Sequence, residues 1–279
     1  MRILKSRGFD LSKATLTPVK VLAMSGIIVC VALLGISVTG DFTPLGNYES
    51  LRPRAWESFD PELASRTRTM ESFIAEARRR AKEPDDAQLM QALYDVTKDR
   101  FTHHVARHTL YSNWLLWINH KLFHPQPARF KSPEDLLANG HSGLCGQVSI
   151  MLTHAAREVG LQARIIELGG HTVMESYVND SWRLYDPDAE VAPQISLSEL
   201  VSTPGAIEKA YPGDYRSGFR QTVRTEEDNR IDTSQPRLIQ REKNFHVWKY
   251  LFPVFGIVIF LALIHITNGR KVDPTPAQS

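Results

Sequence analysis

Three side chains in the middle of this chain have the types and spacing for acyl-transfer chemistry. Cys145 stands in Gly143-Leu144-Cys145-Gly146-Gln147, at the start of a helical pattern, and His171 and Asp186 each stand at the edge of a predicted strand. A cysteine at a helix start, with histidine and aspartate on neighbouring strands, is the arrangement a thiolate nucleophile needs. The histidine takes the proton, and the carboxylate holds the ring in the working tautomer. A thiol with an ordinary pKa of about 8.5 becomes more acidic at a helix N-terminus and beside an imidazolium. Attack on an amide or ester carbonyl would give a thioester, then transfer to water or an amine. The Cys145 backbone N–H is a natural half of an oxyanion hole. The only other cysteine, Cys30, lies in an apolar run that should sit in lipid, so Cys145 has no obvious disulfide partner within the chain. Alone, Cys145 would read as an inert buried thiol; the histidine and aspartate shift the reading to chemistry.

The elements that must position these residues are legible in the hydrophobic pattern. From Cys145 onward, Val148, Met151, Leu152, Ala155 and Val159 form one apolar stripe, closed by Gly160. Strands are predicted at 163–168, 172–178 and 181–186, the last two joined by a two-residue Asn179-Asp180 hairpin turn. Upstream, Asp60-Pro61-Glu62 opens a helical pattern running to about Ala81, and Pro84-Asp85-Asp86 opens a second carrying Leu89, Leu93 and Val96. A third apolar segment, Leu110 to Phe123, contains Trp114 and Trp117, and a short helix is predicted from Ser132-Pro133 to Asn139-Gly140. After Pro193 the sequence turns polar. Only 196–201 suggests a helix there, and 204–240 reads as loosely packed or extended.

Two uncharged runs bracket this region, 21–40 and 250–267. Twenty residues of helix span about 30 Å, the thickness of a bilayer's hydrocarbon, so both runs are read as transmembrane helices. Arg2, Lys5, Arg7, Lys13 and Lys20 precede the first run, which puts the N-terminus in the cytoplasm and the middle of the chain outside. Arg237, Arg241, Lys243 and Lys249, ahead of the second run, argue weakly the other way. The middle holds 26 basic and 29 acidic residues, with no basic excess to suggest a nucleic-acid surface.

Residues 143–188 resemble the transglutaminase-like superfamily of papain-type folds. The likeness rests on Gly143-Leu-Cys145, Gly160-Leu-Gln-Ala163-Arg164, His171-Thr-Val-Met-Glu175 and Trp182-Arg-Leu-Tyr-Asp186-Pro187, in that order. Val173 departs from the pattern, where the family often has tryptophan. The resemblance implies an α+β fold: N-terminal helices and a nucleophile helix packed on an antiparallel sheet, here flanked by two membrane helices. It implies Cys145 as nucleophile, His171 as base and Asp186 as orienting carboxylate, with no metal or organic cofactor. It also implies an oxyanion-hole side chain upstream of the cysteine, for which Trp114, Trp117 and Asn119 are candidates.

The resulting organisation is a cytoplasmic segment 1–20, a span 21–40, a linker 41–58, a transglutaminase-like domain 59–203, a polar extension 204–249, a second span 250–267 and a cytoplasmic tail 268–279. The function expected is a membrane-anchored extracytoplasmic thiol enzyme, cleaving or transferring acyl groups at peptide amide bonds, in a bacterial inner membrane and possible contact with envelope-complex partners. The alternative is a non-catalytic module that uses the same cleft to hold peptide or glycan. His104 and His108, and His120 and His124, have the four-residue spacing of helical metal ligands, but no third ligand accompanies either pair, so ordinary histidines are the default.

Overall fold

In the computed structural model, residues 17–42, 53–82, 85–124, 129–211, 213–223, 230–231 and 235–269 are described. The basic residues at 2–13 and 270–271, most of the linker and the Pro84 break lie outside them.

The apolar runs form helices longer than the runs themselves. α1 spans Pro18–Phe42, and α11 spans Gln235–Gly269, 35 residues without a break. Both are long and apolar enough to cross a membrane. They pack on each other through glycine: a Cβ added at Gly26 would fall 2.4 Å from the Phe260 ring, and one at Gly256 would fall 2.6 Å from Cys30 Sγ. Pro253 lies inside α11 and has no N–H to give the carbonyl of Lys249, four residues back. That carbonyl accepts instead from Trp114 Nε1 at 3.2 Å and Ser37 Oγ at 3.5 Å. Trp114 belongs to α5 (Leu110–Phe123), so a proline in α11 bolts α5 to both α1 and α11.

Between the spans lies an α+β domain. α2 (Pro61–Arg66) is capped by Asp60, whose side chain accepts from Glu62 and Leu63 N–H. The predicted helix to Ala81 is in fact two, because Thr67 bonds back to Leu63 and Thr69 starts α3 (Met70–Arg80) with a capping box to Ser72. α4 (Asp86–Arg100) ends in a fully buried arginine. Arg100 donates to Thr67 O, to Leu137 O at 2.7 Å and to Gly140 O at 3.1 Å, satisfying the carbonyls at the end of α6 (Pro133–Asn139). This fixes the loop that leads into α7 (Cys145–Glu158).

The sheet is antiparallel: β1 (Gln162–Leu168), β2 (His171–Val178) and β3 (Ser181–Tyr185), with two-residue β4 (Arg230–Ile231) on the outer edge of β1. Asn179 and Asp180 have φ of 51° and 57°, which makes the two-residue turn expected between β2 and β3. One side of the sheet contributes Ala163, Met174, Val178 and Tyr185 to a core shared with α3, α4 and α7. The other contributes Ile166, Leu168, Val173 and Leu184 to a second core, closed by α8 (Leu197–Ser202), α9 (Ala206–Ala210) and Tyr211.

Two expectations fail here. The region after 204 is helical in α9, α10 (Asp214–Val223) and the first half of α11, instead of loose. The polar stretch before the second span is continuous with that span, because its charges find partners on the domain. His246 Nε2 lies 2.8 Å from Asp135, Lys243 3.2 Å from Glu134, and Glu242 is buried at 4% exposure.

Candidate active site

Cys145 is the first residue of α7, with Leu144 as N-cap. The N–H groups of Gln147 and Val148 bond to the Leu144 carbonyl, while those of Cys145 and Gly146 sit in the first turn, where a helix offers no acceptor. Gly143 is needed for closeness: a Cβ there would fall 2.6 Å from Val148 Cγ1. Gln147 anchors the helix start. Its Nε2 donates to the carbonyls of Ala106 and Phe130 at 3.0 Å, and its Oε1 accepts from Ala106 N–H at 3.1 Å.

His171 opens β2, and Asp186 follows β3, where it pairs with Val191 across a tight loop. The structure brings them together at 2.7 Å, His171 Nε2 to Asp186 Oδ2, both buried. The other ring nitrogen, Nδ1, is left for the thiol, and His171 hydrogen-bonds to Cys145. Burial opposes a charge on His171, but the Asp186 carboxylate and then Cys145 outweigh it and hold the imidazole pKa at about 10. At neutral pH the ring is therefore an imidazolium beside the thiol. Asp186 is itself held by Ala189 N–H at 3.1 Å and the Tyr211 hydroxyl at 3.0 Å. Tyr211 is fully buried. Burial, then Asp186, pushes its pKa well above the usual tyrosine value, so it stays a donor.

The motif residues around the triad have structural partners. Arg164 donates to Glu175 Oε2 at 2.6 and 2.9 Å, and its guanidinium lies 4.0 Å from the Trp182 ring centroid. Glu175 Oε1 accepts from Leu197 N–H at 2.7 Å, tying the sheet to α8.

Sequence reasoning missed a second acid at the site. A carboxylate oxygen of Asp188, Cys145 Sγ and a ring nitrogen of His171 all lie within 4.8 Å of one another. Asp188 pairs with His103 Nδ1, while its Oδ2 is buried without a hydrogen-bond partner. Burial raises the Asp188 pKa, and the bond to His103 opposes that rise. His103 is brought in by its neighbour Thr102, which accepts from Gly143 N–H at 2.9 Å and donates to the His141 carbonyl. Its only sequence signal was the Asp-Pro-Asp that ends the strand motif.

The upstream oxyanion candidates go elsewhere. Trp114 bonds to Ser37 of α1 and the Lys249 carbonyl of α11, Trp117 lies 5.8 Å from Lys121 Nζ, and Asn119 lines a separate cavity beside α11. The segment paired with the residues ahead of the cysteine is instead Thr102-His103, where Thr102 bridges Ser142 and His103 meets Asp188.

The Cys145, His171 and Asp188 donors are close to the spacing of three protein ligands on zinc. A metal there would displace the proton on His171 Nδ1, the nitrogen turned to the thiol, and leave the Nε2 proton on Asp186; thiol chemistry uses the same atoms as they stand. Of the paired histidines, His104 is exposed and His108 is buried in the α11 seam. His120 and His124 face each other at 4.7 Å between ring centroids, and among the described residues no third ligand joins either pair. No protein-family model and no curated protein matches this chain, which leaves the geometry of the site to carry its function.

Proposed function

We propose that this chain is a membrane-anchored thiol enzyme of the transglutaminase-like class, acting on peptide amide bonds outside the cytoplasm. The observation that carries the reading is the relay from Cys145 at a helix N-terminus through His171 to Asp186, buried and with the imidazole charged. The Arg164, Glu175 and Trp182 cluster, built from the residues that carry the family likeness, supports it.

The Cys145 sulfur attacks the carbonyl carbon, and its oxygen takes the electron pair as an oxyanion near the first-turn N–H groups of α7. Collapse breaks the C–N bond, and the His171 proton goes to the departing amine, leaving a thioester. Neutral His171 then takes a proton from water, and hydroxide attack releases the acid and the thiol. An amine in place of water would give transfer; hydrolysis is the preferred outcome because water is always present. The anionic relay needs no metal or organic cofactor. An envelope peptide or protein is the substrate class, and residues 41–249 face it from the outer side of a bacterial inner membrane.

The test is alkylation of the full chain with iodoacetamide near pH 6.5, beside free cysteine, in the unmodified chain and in His171→Ala. Labelling of Cys145 at least about tenfold faster than free cysteine, and lost in the variant, is expected. Slow labelling, unchanged by His171→Ala in folded protein, would overturn the enzyme reading in favour of the non-catalytic peptide- or glycan-binding module.

A further inference from the structure

Arg237, Arg241, Lys243 and Lys249 precede the second span on the side where the proposed topology places few basic residues. Two have acidic partners: Lys249 Nζ lies 2.5 Å from Asp41 Oδ1, and Lys243 Nζ lies 3.2 Å from Glu134 Oε1. Arg241 has none among the described residues. It lines a cavity of about 270 Å³ between α5 and the membrane-proximal half of α11, together with Arg129 and Lys131, which also lack an acidic partner there.

The one carboxylate on the cavity wall is turned inward. Glu242 Oε2 accepts from Lys131 and Ser132 N–H at 2.6 Å each, and its Oε1 meets His108 Nε2 at 2.5 Å. This latch fixes the Lys131 backbone against α11 and leaves the three cations on the wall without a counter-charge among the described residues. Leu238 and Phe245 make part of the wall apolar. A ligand that satisfies such a cavity has an anionic head and a hydrocarbon body.

The cavity opens just above the level where a headgroup layer would end. Phe245 and Arg241 precede Tyr250, the start of the apolar run, by about 8 and 13 Å along the helix. The headgroup layer adds about 5–7 Å to each side of the hydrocarbon. The Arg241 guanidinium lies 6.0 Å from the Phe245 ring centroid. At the end of α5, beside His124 on the cavity wall, Leu122 and Phe123 are 69% and 73% exposed, two large apolar side chains with lipid as their natural cover.

We infer that this cavity binds the phosphate headgroup of an anionic lipid of the membrane the protein spans, with the acyl chains running down past Phe245. The test is native mass spectrometry of the full chain released from nanodiscs that mix phosphatidylcholine with phosphatidylglycerol. We expect phosphatidylglycerol to be retained preferentially, and the preference to fall about fivefold in Arg241→Gln and further in Arg241→Gln/Lys131→Gln. Lys243→Gln removes the same charge from the same helix outside the cavity and should leave the preference intact. Equal retention of the two lipids would overturn the inference, as would an equal loss in Lys243→Gln, which would mean general surface charge. Displacement of the lipid by inorganic phosphate alone would overturn the lipid as the source of the phosphate. Cys145 alkylation, read on the same samples, checks that each variant is folded.

Discussion

Two histidines in this protein are buried against a carboxylate at hydrogen-bond distance, and they end in opposite charge states. Burial is the largest influence on both, and it opposes charge on both. His171 nevertheless stays protonated to about pH 10, because Asp186 and Cys145 face it. His108 has its pKa driven down to about 3. Asp135 favours its charge, but His246, Lys249 and His120 around it add to burial in disfavouring it. Its own partner offers no charge either, since burial and then Asp135 raise the Glu242 pKa to about 8. The first pair is a charged relay and the second a neutral joint that shares one proton. What separates them is the set of charged and polar groups that surrounds each pair.

The sharpest way to break this comparison is Asp186→Asn, which should turn His171 into a histidine of the second kind. We expect Cys145 alkylation near neutral pH to fall by about 100-fold or more. Retained reactivity would mean that the imidazolium does not depend on its carboxylate.

Next is the joint. Glu242→Ala strands the Lys131 and Ser132 N–H groups and the His108 ring, and should cost about 2–5 kcal/mol in chemical denaturation of the full chain in detergent. Glu242→Gln keeps an acceptor and a donor in place and should stay within about 1 kcal/mol. Equal losses in both would show that Glu242 is ionised.

The pH dependence separates the pairs further. His171 and Glu242 both have folded pKa values above their unfolded ones. Each therefore contributes stability that is full below the unfolded value and lost as pH rises through the folded one, about 10 and about 8. His108 runs the other way: its contribution is present above about 6.5 and lost as pH falls toward about 3. On alkaline titration, hydrogen exchange should quicken in 129–132 and α11 before it does in β2. A single shared transition would contradict this. The smallest effect belongs to Asp188→Asn, which removes an acid near the sulfur. Alkylation should rise, but by less than about tenfold.

Local chemistry made much of the site readable in the sequence. The stripe of Val148, Met151 and Leu152 places α7, the Asn179-Asp180 turn sets the register of β2 and β3, and these two facts already bring Cys145, His171 and Asp186 near one another. Asp188 with His103, and Tyr211 with Asp186, were not readable, because each pairing joins segments far apart in the chain and neither partner has a local pattern. The polar residues at 235–249 were misread for a related reason. Their charges look like those of a solvated linker until Glu134, Asp135 and Ser132 are folded against them. Trp114 and Trp117 misled in the other direction: the nearest tryptophans upstream of the cysteine serve the seam between α1 and α11 and a lysine contact, not the oxyanion.

The unbroken helix α11 has a further consequence. If the apolar half of this 35-residue helix crosses a membrane, its other half is clamped to the domain through Glu242. The Lys249 carbonyl freed by Pro253 is held by Trp114, so no flexible stalk is left between the two. The domain cannot sweep outward to meet a partner as a tethered head on a flexible stalk would. In that arrangement it would travel with the bilayer at one height, and the molecules it meets would be those that surface diffusion brings to that level.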